Sequence, residues 1–508
     1  MLVQSDRNKV TVMVMFVLFV AAVASAALAI WSLKFKWAFI ATLGLLFPFL
    51  LALVREKRLV LTALMIYLLP LRIDYRFLWG KTYSLCGASA ITIGAFEILF
   101  LILLADWLIG ATRAKNSGAI RFFPMFSVPT LLLILAGAVS LFWARDRWLT
   151  LFDLVDFIKA WLFFLFLANT IRTKRALYWV LAASLAGVIT QSVLFILQYY
   201  YNISLAFLAI GDPQSAPDMI FRGRNLDIFR PDGTIGHVNS YARYLLMFLP
   251  LALSMVLTLR DRTLKWFSGI ALGLGFTTLI ISLTRSAWVS FIFAVVVVFT
   301  YLFFKRLLTL RAIRNTFIAA VIAVLVLFAF QDLLIERIVS DDNGAARSRV
   351  VTSIVAWRVI QQHPLQGVGL NNYGQHLAEN WLYTDPYTRV AAVHNNYLLF
   401  WAEMGLIGLA CLLAFFIAFY LRTRQACNSR YAFIRIVAIG LMGAFVAMIV
   451  SSFFDYYKGN TILVSGIWGL AGLTEALNAM SERYNENFIE LLHKRPLKIE
   501  PVESTLLP

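Results

Sequence analysis

The stretch VAAVHNNYLLFWAEMGLIGL sets His394 where a polar segment gives way to an apolar run, in a chain with only five histidines. A neutral imidazole can take a proton from a hydroxyl near pH 7, which few other side chains can. Asn395 and Asn396 follow at once and are suited to cap the next helix and orient the ring. Two other segments carry a distinctive set of cations. Between residues 199 and 243 the basic side chains are Arg222, Arg224, Arg230 and Arg243, and between 335 and 394 they are Arg337, Arg347, Arg349, Arg358 and Arg389; neither segment has a lysine. A guanidinium fork grips phosphate or carboxylate oxygens two at a time and keeps its charge in a partly dry site. This suits a pyrophosphate held at a membrane surface. Base and forks together suggest glycosyl transfer from a lipid pyrophosphate donor, with His394 as base and arginines neutralising the departing pyrophosphate. The competing reading pairs these arginines with Asp227, Asp232, Asp341, Asp342 or Asp385 and makes His394 structural.

Other chemistry-bearing residues are more ambiguous. Arg285, in ISLTRSAWVSFIFAVVVVF, lies inside an apolar stretch, where a charge faces a cavity or partner or snorkels to the interface. His237, in GTIGHVNSYARY, opens a helix and is placed to touch substrate. His363 and His376 rival His394 as base; His363 fits a packing role before Pro364, and His376 reads as solvated. Asp153, Asp156 and Lys159 share a helical face and read as a polar patch or cavity wall. Asp341 and Asp342 have no well-spaced ligand partners, so no metal and no cofactor is expected. Cys86, Cys411 and Cys427 fit neither a metal spacing nor a disulfide framework.

The elements that position these residues are membrane helices. Only 14% of the 508 residues are charged, and the mean hydropathy is +0.78. Apolar runs recur near 11–33, 37–54, 59–71, 91–110, 123–144, 149–169, 176–198, 241–259, 264–283, 286–304, 315–334, 395–421, 433–455 and 460–478, most of them of spanning length, the third short enough to be re-entrant. The first is too long for a signal-peptide core and reads as a retained helix. The chain is therefore expected to be an all-α polytopic membrane protein with about 12–14 transmembrane helices. The net charge of +18 is explained by basic connections, REKR (55–58), RAKNSGAIR (113–121), RTKR (172–175), RDRTLK (260–265), KRLLTLRAIR (305–314) and RTRQACNSR (422–430), rather than by nucleic acid. The positive-inside rule puts them, both termini and His493 in the cytoplasm, and the arginine-only loops outside. The expected organisation is N-terminal helices 1–198, a first large loop 199–240, central helices 241–334, a second, catalytic loop 335–394, C-terminal helices 395–478 and a tail 479–508.

WRVIQQHPLQGVGLNNYGQH followed by VHNNYLLFWAEMGLIGL resembles the second large periplasmic loop of the O-antigen ligase and O-antigen polymerase superfamily. RPDGTIGHVNSYARYLLMFLPLAL is similar to that family's upstream loop and helix, and LTRSAW to its membrane-edge arginine motif. The resemblance covers roughly residues 200–470. It implies a GT-C-like fold in the bacterial inner membrane, with short amphipathic helices in two periplasmic loops and a periplasmic active site. It implies a metal-independent, inverting glycosyltransferase taking glycan from undecaprenyl pyrophosphate to lipid A–core (ligase) or to another lipid-linked repeat (polymerase), with membrane lipids and a chain-length regulator as further partners. His394 matches the family's base, Arg285 its membrane-edge arginine, and Arg347 or Arg349 an arginine ahead of the loop helix. Arg222, Arg224, Arg243, Arg358, His237 and Asn395 complete the expected substrate-binding set. Arg222-x10-Gly233 and Arg358-x10-Gly369 fit a polymerase pattern, although the second also fits ligases. The rival function is a transporter or flippase binding the same lipid-linked sugar without chemistry.

Overall fold

A computed structural model describes residues 56–72, 74–77, 87–113, 120–203, 220–222, 227–339, 345–380 and 392–494. The chain divides into two compact units, Met1–Ala63 and Leu64–Pro508. Of the first, the described residues include only 56–63, within and just before helix α1 (Lys57–Leu68). The helices expected at 11–33 and 37–54 lie outside the described residues.

The second unit is built mainly of helices, with two hairpins that hydropathy alone did not reveal. Strand β1 (Asp74–Phe77) pairs antiparallel with β2 (Ile91–Gly94), Asp74 opposite Gly94. The β-branched run Ile91, Thr92, Ile93 favours a strand, so the helix expected from residue 91 begins instead as α2 (Ala95–Arg113). The Glu97 carboxylate reaches back to accept the Gly94 N–H at 2.9 Å and closes that boundary. Helix α3 (Pro124–Val139) ends in a tight turn, and α4 (Arg147–Thr170) starts on Asp146, whose carboxylate accepts from Trp148 N and Leu149 N. Helix α5 (Lys174–Tyr201) leads to the second hairpin, β3 (Ile220–Arg222) with β4 (Asp227–Phe229), Ile220 opposite Phe229.

Then follow α6 (Val238–Thr258), α7 (Arg262–Ile281) and α8 (Arg285–Phe304). The single helix expected over 315–334 is two, α9 (Leu310–Ala329) and α10 (Gln331–Val339), bent by 69°. Helices α11 (Ala345–Gln362) and α12 (Tyr373–Glu379) precede α13 (Asn396–Cys427), α14 (Ala432–Ser451) and α15 (Thr461–Lys494). The helix expected to run to residue 455 stops at Ser451. The Ser451 and Ser452 hydroxyls bond the Met448 carbonyl, and the Phe453 and Phe454 amides turn back tightly to Val450 and Ser451. Residues 452–460 become a loop.

Among the described residues nine helices are long and apolar enough to cross a membrane, and ten if the bent pair is one span. Helix α4 is not among them because it carries Asp153, Asp156 and Lys159, although its 24 residues reach about 36 Å. Helices α6 and α15 form the centre, with 89% and 94% of their spanning windows buried against 33% for α2, α3 and α8. Arg121 pairs with Glu482 at 3.5 Å, Lys174 lies over the Phe433 ring, Lys305 bonds Asn428 and Asp261 faces Tyr178. The basic connections from 113–121 to 422–430 therefore share one end of the bundle.

Candidate functional site

At the other end, His394 meets the loop that replaces the missing end of α14. Its Nδ1 lies 3.2 Å from Asp455 Oδ1, and its ring packs 6.0 Å from that of Tyr456. Two flanking bonds fix the pairing. The Asn396 amide donates to the Ser452 carbonyl at 2.8 Å, and Asn395 Nδ2 donates to the Phe453 carbonyl at 3.3 Å. Asn395 Oδ1 also accepts the Leu398 amide and caps α13. With Nδ1–H donating to a carboxylate, the lone pair is left on Nε2, in a side chain 36% exposed.

Asp455 is buried, and its second oxygen lies 3.2 Å from Arg243 Nη2. Burial alone would raise the Asp455 carboxyl, but Arg243 first and His394 after it hold it well below the usual carboxylate range. Arg243, one turn into α6, is gripped in turn. It donates to the carbonyls of Asn239 and Tyr456 and to Ser240 Oγ, and lies over the Tyr457 ring. Expected from sequence to bind substrate, Arg243 instead spends its fork holding the carboxylate that holds His394.

His237 caps α6 through Nδ1, which accepts the Asn239 amide at 3.1 Å. Its side chain is accessible, yet desolvation pushes its pKa down to about 4, with Arg243, Arg230 and His394 adding to the shift against Asp455. The ring stands close to Arg243, Arg230, His394 and Asp455. Arg230 closes one side: Nε donates to the Ser282 carbonyl at 2.9 Å, and Nη2 reaches Thr284 Oγ1 and Asn239 Oδ1. Arg337 is buried and donates to the Leu283 carbonyl at 3.0 Å. Two arginines thus clamp the turn 282–284, from which Arg285 starts α8. Thr284 Oγ1 bonds Asn239 Oδ1 at 3.3 Å, so Arg285 begins beside the residues that hold Arg243.

The turn HPLQGVG docks on a kink in α13. Amides of Val368 and Gly369 donate to the carbonyls of Ala402 and Glu403, and the Leu406 amide donates to the Pro364 carbonyl. Gly367 (φ 66°) lies against the Glu403 backbone and Gly405 (φ 65°) against the Leu365 backbone, so closely that a Cβ on either would collide. Beyond the turn, Asn371 donates to the carbonyls of Ala88 and Leu149, and Asn372 bonds Asp146 and Thr150. Beneath lies a buried triad: Lys458 pairs with Asp153 at 2.9 Å and with Glu403, whose Oε2 also accepts the Asn371 amide. Asp153 is thus structural, as its spacing suggested.

The structure gathers His394, Arg243, His237, Asn395 and the turn bearing Arg285. Arg349 is half-buried on α11, and Arg358 is exposed on the side of α11 away from Ala356, Val359 and Ile360, which pack on α13. The side chains of Arg222 and Arg347, and all of Arg224, lie outside the described residues. His376, expected to be solvated, is buried, its ring 5.6 Å from that of His363. Sequence reading missed Asp455, Tyr456 and Lys458; the signal was the polar stop SSFFDYYKGN at the end of an apolar run.

Residues 269–413 match the family model Wzy_C, O-antigen ligase. No curated protein matches the chain. The matched segment contains Arg285, the HPLQGVG turn and His394, and ends before Asp455. Through this segment, less than a third of the chain, the protein is similar to the O-antigen ligase family.

Proposed function

We propose that this protein transfers glycan from a lipid-linked pyrophosphate, of the undecaprenyl type, to an acceptor hydroxyl on the extracytoplasmic side of a bacterial inner membrane. The reading is supported above all by the chain His394–Asp455–Arg243. Nε2 of His394 takes the acceptor proton as the hydroxyl oxygen attacks the anomeric carbon. The bond from that carbon to the phosphate oxygen breaks, and the lipid pyrophosphate leaves as an anion. Asp455 holds the imidazole in the required tautomer and stabilises the imidazolium that forms. Arg285 and the loop arginines neutralise the leaving group. Attack from the face opposite the pyrophosphate inverts the anomeric centre, with the side chains alone supplying acid–base chemistry.

The site lies at the end of the bundle remote from the basic connections, which fits a cytoplasmic face for the latter and for both termini. The test is reconstitution of the purified chain with a lipid-linked repeat, with and without lipid A–core. Product on lipid A–core makes it a ligase; elongation of the lipid-linked repeat makes it a polymerase. His394→Ala is expected to abolish product at normal membrane levels. Lipid movement between leaflets with unchanged donor, indifferent to His394→Ala, would replace transfer by transport.

A further inference from the structure

A few residues along the chain from His237 and Asp455 lies a recess that the transfer chemistry above does not use. One wall is residues 88–92, before and within β2; the other is residues 459–462 at the start of α15, with Ile235 between them. It holds about 70 Å³ by the measure in which one water needs ~10–15 Å³, room for about five waters. It continues past Arg72 to Glu97 and Phe96. Both walls run directly on from the site: Ile235 is two residues before His237, and Asn460 five after Asp455. At ~3.3–3.6 Å per residue these are spans of at most ~7 and ~18 Å. Asn460 Nδ2 bridges to the Ile235 carbonyl at 3.5 Å.

The lining is mixed in the way a sugar ring is. Ser89, Thr92, Asn460 and Thr461 supply hydroxyls and an amide, while Ala88, Ala90 and Ile462 supply apolar floor. The Ser89 and Thr92 hydroxyls make no hydrogen bond to other described residues. Behind the wall, Lys159 pairs with Asp156 at 2.8 Å and donates to the Thr92 carbonyl, and Thr461 Oγ1 donates to Asp156 Oδ2. That pair fixes both rims. Arg72 runs along Gly236, whose φ of 92° and lack of Cβ leave space for the guanidinium; a Cβ there would collide with Nη1. Around the recess Arg72 and Lys159 are offset by Glu97, Asp156 and Asp232, the last with its carboxyl pushed up to about 6 by burial. Carboxylates that outnumber the cations, with hydroxyl and amide groups around them, favour an uncharged saccharide over an anion.

The segment 230–239 touches this recess through Ile235 and the arginine-clamped turn through Asn239, with His237 between them in sequence. An inverting displacement puts nucleophile and leaving group on opposite faces of the anomeric carbon. Resting on the transfer reading above, we infer that the recess is the acceptor subsite: it binds an uncharged pyranose of the acceptor and presents its hydroxyl to His394, while the arginine side takes the pyrophosphate.

The test uses the full chain in nanodiscs and two probes, a dephosphorylated, delipidated core oligosaccharide and undecaprenyl pyrophosphate, titrated by calorimetry. Ser89→Trp fills the recess and should weaken oligosaccharide binding at least tenfold, leaving undecaprenyl pyrophosphate binding within twofold. Thr461→Val, which keeps side-chain shape, should weaken it about three- to tenfold and raise the acceptor KM without changing the donor KM. Unchanged oligosaccharide binding in both variants overturns the subsite. Loss of undecaprenyl pyrophosphate binding instead places the recess on the donor side and also overturns it. Wild-type protein that binds the oligosaccharide in the recess yet forms no glycosidic bond leaves the subsite standing and removes the transferase reading.

Discussion

Replacing Asp455 by Asn is the sharpest test of the proposed mechanism, because it removes one charge and little shape. At 3.2 Å between His394 Nδ1 and Asp455 Oδ1, and an effective dielectric of about 20, an imidazolium–carboxylate pair is worth about 5 kcal/mol. The His394 side chain is 36% exposed, which screens the pair, and Arg243 on the far oxygen opposes it. Roughly half remains, about 2 kcal/mol of transition-state stabilisation, or about a thirtyfold fall in kcat. Loss of the tautomer lock can only deepen it. The donor KM should change little, since Asp455 is buried away from substrate. The assay is steady-state transfer in proteoliposomes, run beside a thermal unfolding scan because Arg243 loses its counter-charge. Asp455 has a depressed folded pKa. Its stabilisation is present above the ordinary carboxylate value of about 3.9 and is lost only as pH falls through the lower folded value. Asp455 therefore stays ionised from pH 5 to 9, and its own titration adds no pH dependence to the defect there. An Asp455→Asn enzyme that keeps half the wild-type kcat would refute the assigned role.

Three further outcomes follow from the geometry. His237 has its folded pKa lowered to about 4, so its contribution to stability is present above about 6.5 and lost as pH falls through about 4; His237→Asn, which can still cap α6, should flatten that part of the stability–pH curve in thermal scans. Lys458→Met strands Asp153 and Glu403 as buried carboxylates and should cost about 3–5 kcal/mol, seen as loss of monodisperse protein in size-exclusion chromatography, with partial rescue by adding Asp153→Asn and Glu403→Gln. Gly405→Ala places a Cβ against the Leu365 carbonyl at φ 65°, and should lower the unfolding temperature and increase hydrogen exchange at Val368 and Gly369, at a cost of about 1–3 kcal/mol.

Hydropathy made the helices legible, and the basic connections placed them end for end, because spanning length and loop charge are local properties. The HPLQGVG turn and the cap by Asn395 were legible for the same reason, whereas Asn396, also expected to cap, turns its side chain to the Tyr457 amide. What sequence could not show is assembled from distant segments. Asp455 reads as the last turn of an apolar helix until two serines end that helix early. Arg243 looks like a free phosphate fork until Asp455, more than two hundred residues later, is seen to occupy it. Arg72 and the β1–β2 hairpin were obscured by an apolar stretch in which β-branched residues and helix formers alternate too briefly to separate.

The loop between α14 and α15 has a bearing on how the protein is made. His394 emerges from the ribosome about sixty residues ahead of Asp455, a delay of about 3–12 s at ~5–20 residues per second. A nascent chain, or a product truncated before the last two helices, therefore carries the imidazole without its orienting carboxylate. On the proposed mechanism, catalysis waits for the segment that carries Asp455, and copies that stop short of it are expected to be inert.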